Sequence, residues 1–247
     1  MIKIVDLVKS FNGQVVLDGI NLEIPTGKIT VVIGKSGVGK SVLLKHIPGL
    51  LRPDRGQVIV DDVDVAQARG WALMEIRKRI AVLFQGGALF DSLTVFDNIA
   101  FPLREKTRLP EPEIVRRTQE RLEQMNLDPE VGNKLPDELS GGMKKRVALA
   151  RAMIQEPEII LFDEPVTGLD PPMTNTVLHL ITNTHQESGY TALLVSHDIP
   201  EIFGVADYVA MLHKGRIIAW GTPAEIQRHP DPMVQSFIHG EVDFLEG

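Results

Sequence analysis

Ile29-Thr30-Val31-Val32-Ile33 runs without a break into Gly34-Lys35-Ser36-Gly37-Val38-Gly39-Lys40-Ser41. The first five residues are apolar or β-branched and read as a strand buried on both faces. The next eight have the spacing of a phosphate loop, whose glycines let backbone N–H groups approach a phosphate with no Cβ in the way. Val42-Leu43-Leu44-Lys45-His46-Ile47 continues as a helix that Pro48-Gly49 ends. Strand, loop and helix in that order put a helix N-terminus behind bound phosphates. Lys40 then reaches the β- and γ-phosphates and Ser41 a magnesium ion, with Gly34, Lys35, Ser36, Gly37, Val38 and Gly39 as the surrounding cradle.

Downstream, three more strand ends carry polar residues. Ile80-Ala81-Val82-Leu83-Phe84 delivers Gln85, whose neutral side chain can touch magnesium or water, although alone it reads equally as a polar strand terminus. Ile159-Ile160-Leu161-Phe162 ends in Asp163-Glu164, an acid pair suited to holding a metal-bound water and to orienting or deprotonating an attacking one. Thr191-Ala192-Leu193-Leu194-Val195 leads through Ser196 to His197, where a ring nitrogen can meet a γ-phosphate. The six other histidines show no metal-ligand spacing and read as structural.

Upstream, Ile2-Lys3-Ile4-Val5 and Ile20-Asn21-Leu22-Glu23-Ile24 alternate apolar with polar, and Pro25-Thr26-Gly27 makes a turn. Gln57-Val58-Ile59-Val60 is a further strand before the acidic turn Asp61-Asp62. From about residue 86 to 156 the period becomes helical, with Ile114, Leu122 and Met125 on one stripe and Val147, Ala150 and Ile154 on another, which predicts an inserted helical subdomain. The later strands, each followed by a helical segment, predict a mostly parallel, helix-covered sheet with its chemistry at the carboxyl ends of the strands.

The inserted segment also holds Leu139-Ser140-Gly141-Gly142-Met143. A serine hydroxyl and glycine amides at a helix start resemble the second half of a nucleotide site. If the two halves belong to different subunits, ATP lies between them.

The 247 residues suit one α/β domain, and the absence of cysteine excludes disulfide-stapled designs and thiolate metal sites. The N-terminus has no signal-peptide pattern, and no apolar run approaches the roughly 18 residues that span a bilayer. A formal charge of −7 argues against a general grip on nucleic acid. Lys144-Lys145-Arg146 and Arg116-Arg117 have helical spacing and read as solvated faces.

In sequence order, the phosphate loop, Gln85, Leu139-Ser140-Gly141-Gly142, Asp163-Glu164, Gly168-Leu169-Asp170 and His197 resemble the motifs of an ABC-transporter ATPase subunit across nearly the whole chain. The resemblance implies an α/β fold with a P-loop NTPase core, a mostly parallel sheet, an N-terminal antiparallel β subdomain and an inserted helical subdomain. It implies Mg²⁺-dependent ATP hydrolysis, with Glu164 and His197 joining Lys40 as catalytic residues and with Ser41, Gln85 and Asp163 around the metal. It also implies a head-to-tail homodimer in which Ser140, Gly141 and Gly142 cap the γ-phosphate held by the other copy, and in which Asp170 couples the two sites. Phe11 falls at the adenine-stacking position, and Val16 at the same adenine pocket.

Met143, where many relatives carry glutamine, and the stretches Phe84–Asp91 and Val95–Glu105 are similar to the MCE-linked branch of that family. The branch implies phospholipid movement between the inner and outer membranes. Its implied partners are an integral-membrane permease, an MCE-domain protein and a small STAS-domain subunit, with no nucleic acid. The implied location is the cytoplasmic side of the inner membrane, held by the permease. Apolar residues such as Leu89, Phe90 and Leu93 would border a groove for the permease coupling helix. The stretch from about 231 to 247 resembles an extension that in this branch contacts the opposite ATPase subunit; ending at Gly247, it is expected at least equally to pack on its own subunit. Other readings are the ATPase of an importer for amino acids or ions, and a non-transport ABC regulatory protein. The latter commonly has two fused ATPase units or a long coiled-coil insertion, which this chain lacks.

Overall fold

The computed structural model describes residues 1–197 and 199–240. Strands β1 (Ile2–Phe11) and β2 (Gln14–Ile24) form a hairpin whose two turn residues, Asn12 and Gly13, have φ of 50° and 82°. Asn-Gly is the pair that such a turn favours. β3 (Ile29–Ile33) leads through the phosphate loop into α1 (Lys40–His46). β4 (Arg55–Val60) and β5 (Val63–Asp64) flank the acidic turn, followed by α2 (Gly70–Lys78) and β6 (Ile80–Leu83).

The next stretch is helical: α3 (Val95–Lys106), α4 (Glu111–Gln124), two short 3-10 turns and α5 (Gly141–Met153). Thr94 caps α3 by accepting from the Asp97 N–H at 3.0 Å, and Ser140 caps α5. Then come β7 (Ile159–Asp163), α6 (Pro171–Ser188), β8 (Thr191–Ser196) and the short α7 (Ile199–Ile202). The hairpin of β9 (Tyr208–His213) and β10 (Arg216–Gly221), which the sequence pattern does not single out, precedes α8 (Pro223–Gln227) and α9 (Pro232–His239).

Two sheets result. One is antiparallel, in the order β2-β1-β4-β5. The other has the order β10-β9-β3-β8-β7-β6, parallel from β9 to β6 with β10 antiparallel at its edge. The central strands alternate between two cores, which is why their sequences read as unbroken apolar runs. Val31, Ile33, Ile160 and Phe162 face the core shared with α3, α4, α5 and α6. Val32, Leu161, Leu193 and Val195 face the other, shared with α1 and the antiparallel sheet.

The helical stretch has no separate core of its own: Val95, Ile99, Leu122 and Val147 are buried in the same cluster as Phe162. Each such fully buried side chain is worth roughly 1.5–3 kcal/mol, so this segment is held to the sheet by packing as much as by the chain. Val234 and Phe237 of α9 join that cluster too, so the described part of the C-terminal stretch packs on its own subunit. Residues 241–247 of the expected extension lie outside the described residues.

One expectation fails here. Lys145 is not part of a solvated face: it is 8% exposed, on the inner side of α5. Its neighbour Arg146 is half-buried and donates to the Asn126 carbonyl at 2.6 Å and the Met125 carbonyl at 3.3 Å. A helix between two layers has no wholly solvated side, and charge spacing alone cannot show this. Arg116 and Arg117 pair with acids along exposed α4, with Arg116 Nη2 2.6 Å and Arg117 Nε 2.7 Å from Glu113 Oε1.

Candidate nucleotide site

β3 lies between β8 and β9, so the phosphate loop emerges at the middle of the parallel sheet. Gly34 turns the chain with φ 156°, and a Cβ there would stand 2.4 Å from the Leu212 carbonyl oxygen, so only glycine fits beside β9. Lys40 begins α1 and is 4% exposed. Its ammonium folds back over the loop, donating to the carbonyls of Gly34 at 2.8 Å and Lys35 at 3.0 Å.

The neighbouring strands bring acids to the same edge. Asp163, the last residue of β7, accepts the Ser41 hydroxyl proton at 2.6 Å, joining the first turn of α1 to the strand end. Glu164 follows with φ 52°, its N–H donating to the Val195 carbonyl at 3.0 Å. That left-handed backbone, unfavourable for a residue with a Cβ, turns the carboxylate toward the loop. Its Oε1 lies 3.4 Å from Lys40 Nζ and its Oε2 2.5 Å from His197 Nδ1. Thr167, absent from the sequence expectations, donates its hydroxyl to the same Oε2 at 2.6 Å and fixes the carboxylate rotamer.

A cavity of about 420 Å³ opens above these groups. Val16, Ser36, Gly37, Gly39, Lys40, Ser41, Gln85, Glu164 and His197 line it. Loop amides and an ammonium beside a carboxylate and an imidazole make a site for a polyanion and a polarised water. Ser41, Asp163 and Gln85 all offer oxygen, as a hard cation such as Mg²⁺ requires. Among the described residues no group of three or more His, Cys, Asp or Glu side chains is arranged to hold a metal ion. A metal here would draw most of its ligands from phosphate and water, the habit of Mg²⁺.

Other expected site residues stand apart. Phe11 ends β1, is 41% exposed and does not line the cavity; the Lys9 ammonium sits 5.4 Å from its ring centroid. Ser140 and Gly141 are exposed at the start of α5 and are likewise absent from the cavity walls. The Ser140 hydroxyl accepts from the Met143 N–H at 3.3 Å. Gly142 is buried, where a Cβ would come within 3.2 Å of the Met173 side chain. Asp170 caps α6, accepting from the Met173 N–H at 2.8 Å. A Cβ on Gly141 would lie 3.7 Å from Leu169, so Gly168-Leu169-Asp170 adjoins the serine-glycine element.

The loop after Gln85 is held by residues that sequence reasoning missed. Asn98 accepts from the Phe90 N–H at 2.8 Å and donates to the carbonyls of Phe90, Leu93 and Thr94. Arg151 donates to the Gly87 carbonyl at 2.7 Å, with its guanidinium 5.5 Å from the Phe90 ring centroid. An asparagine inside a helical period gives no signal of its tertiary partners.

Fold and site together define a phosphate-loop ATPase. The chain belongs to the ABC transporter family, whose model matches residues 17–167, and is an ATP-binding, ATP-hydrolysing transporter subunit. It is 41% identical over 94% of its length to the intermembrane phospholipid transport system ATP-binding protein MlaF of Escherichia coli K12, covering 86% of that protein. The corresponding MlaF of Haemophilus influenzae is 40% identical over 98% of this chain and 92% of its own. A probable ribonucleotide transport ATP-binding protein, mkl, of Mycobacterium leprae is 40% identical over 97% of this chain and 69% of its own.

Among solved structures, a dimeric post-hydrolysis state of the ATP-binding cassette MJ0796 bound to ADP and Pi superposes with a TM-score of 0.83 at 30% identity, covering 90% of this chain and 99% of that one. CbiO1 of Clostridium perfringens, part of the ABC transporter complex cbiONQ, gives 0.83 at 31% identity over 95% and 93%.

Proposed function

We propose that two copies of this chain pair head to tail around two ATP molecules and that hydrolysis drives phospholipid movement between the inner and outer membranes. The observation that carries the pairing is the exposure of Ser140 and Gly141 outside their own chain's cavity. A hydroxyl and helix-start amides so placed suit a γ-phosphate held by another copy. Support for the lipid cargo is the 40–41% identity to MlaF proteins over 94–98% of the chain, together with Met143 in the serine-glycine element.

In this reading the loop amides and Lys40 bind the phosphates and offset charge that grows on them, which is the larger part of such catalysis. Phosphate oxygens replace the Gly34 and Lys35 carbonyls as acceptors for Lys40. Glu164 orients the attacking water and takes its proton. His197, already against the Glu164 carboxylate, would meet the γ-phosphate with its ring. Ser41, Asp163 and Gln85 would hold Mg²⁺, which supplies charge neutralisation across the phosphates. Val16 would line the adenine pocket and Phe11 would stack on the ring, while Asp170 would couple the two sites. The partners are an integral-membrane permease, an MCE-domain protein and a small STAS-domain subunit, with the assembly on the cytoplasmic face of the inner membrane. No described helix is long and apolar enough to cross a membrane, so on this reading the permease holds the subunit there.

The likeness to mkl favours a second cargo, ribonucleotides. Purifying the chain with its native membrane partners separates the two. The lipid reading expects an MCE-domain partner and ATPase activity that responds to phospholipid. A complex without that partner, stimulated by ribonucleotides, would overturn it.

A further inference from the structure

Lys145 is a buried cation whose two carbonyl acceptors lie beside the candidate chemistry. Its ammonium donates to the Gln85 carbonyl and, at 3.3 Å, to the Glu164 carbonyl. Those carbonyls emerge side by side because β6 and β7 are parallel neighbours, with Leu83 opposite Phe162. Gln85 lies two residues beyond β6 and Glu164 one residue beyond β7. Burial pushes the Lys145 ammonium below its ordinary range, and the Glu164 and Asp163 carboxylates pull it back. A cation in such a place is retained at a desolvation cost that only good partners offset.

Lys145 also sits on α5, little more than a turn beyond Ser140, the residue that caps this helix. Arg151, further along α5, holds the Gly87 carbonyl, so the helix is tied twice to the loop after Gln85. A displacement of the α5 N-terminus therefore pulls on the backbone of both Gln85 and Glu164. These ties lie within one chain, whereas the Ser140 end serves the other chain's nucleotide.

We propose that Lys145 is a positioning residue that couples the Ser140 end of α5 to the placement of Glu164 and Gln85 in the same chain, so that capping one ATP adjusts the catalytic edge serving the other. This rests on the roles of Glu164 and Ser140 given above. The Lys145 side chain reaches backbone carbonyls, and its effect is on the geometry of the groups that do the chemistry, where small misplacements are costly.

The test uses the full chain in its assembled transport complex and compares Lys145→Met, Lys145→Arg and Glu164→Gln. Lys145→Met is expected to lower kcat by about tenfold or more while the KM for ATP stays within about twofold, because the phosphate loop is untouched. Lys145→Arg keeps donors for both carbonyls and is expected to recover at least about a third of the lost kcat. Thermal midpoints establish that the variants are folded. A Lys145→Met complex with near-normal kcat, beside an inactive Glu164→Gln, would overturn the coupling role alone. Folded Met and Arg variants with equal losses, or KM rising in step with the fall in kcat, would also overturn it. Normal turnover in Glu164→Gln would instead overturn the site assignment on which it rests.

Discussion

The Ser41 hydroxyl donates to Asp163 Oδ1 at 2.6 Å, across 122 positions of sequence. The contact ties the helix behind the phosphate loop to the strand that carries the acid pair. Asp163→Asn keeps the shape and removes the charge. It is expected to lower ATP turnover at least about a hundredfold and to flatten its dependence on Mg²⁺, with nucleotide still bound. An ATPase assay against Mg²⁺, with a chelator arm that stops wild-type turnover, checks both.

Glu164 is 7% exposed and sits between Lys40 and His197. Glu164→Gln preserves size and loses the base, so turnover is expected to fall at least about a hundredfold while ATP still binds. An ATP-bound dimer should then accumulate on size exclusion. Near-normal hydrolysis by the purified complex would remove Glu164 from its role.

Ser140 faces outward from its own subunit. On the proposed head-to-tail pairing, Ser140→Arg would place a bulky cation where the other copy's γ-phosphate is capped, and hydrolysis is expected to stop. Binding of a fluorescent ATP analogue to the phosphate loop should stay within about threefold, because that half of the site is untouched. Activity in this variant would contradict the shared site.

At the opposite end of the sheet, Arg79 Nη2 lies 2.5 Å from Asp61 and 2.6 Å from Glu158. Hydrogen bonds from the Met1 ammonium and from Arg79 hold Asp61 below the usual carboxylate range, and Arg79 does the same to Glu158. Stability from such depressed acids is complete above the ordinary carboxylate range and is lost as pH falls through their lowered values. These groups are partly exposed, so solvent screening keeps the effect small. Arg79→Gln is expected to lower the thermal midpoint by about 2–4 °C at pH 7. The gap to wild type should close as the pH is taken toward 2, which calorimetry at several pH values and two salt concentrations measures.

Much of this site is legible before any coordinates because its chemistry is local. Gly34 to Ser41 act through backbone amides and one ammonium, and such a loop has to be contiguous. Asp163-Glu164 and His197 are legible because strands buried on both faces read as apolar runs whose ends stand out. The order β10-β9-β3-β8-β7-β6 is not, since parallel neighbours are joined by long crossovers and no local pattern records which strands pair. The inward turn of Lys145 is hidden for a related reason. Spacing along α5 shows only that Lys144, Lys145 and Arg146 share a helix, and which of them turns inward depends on the Gln85 and Glu164 carbonyls contributed by distant strands.

The positive φ of Glu164 has a further consequence. A residue with a Cβ pays about 1–3 kcal/mol to sit in that region of backbone space, whereas glycine occupies it freely. A glycine here would relieve that backbone cost but would also take the carboxylate away from Lys40, His197 and Thr167, and on the proposed role of Glu164 it would stop turnover. On that role, backbone ease and turnover are set against each other at one residue, and a thermostabilised form has to gain its stability elsewhere.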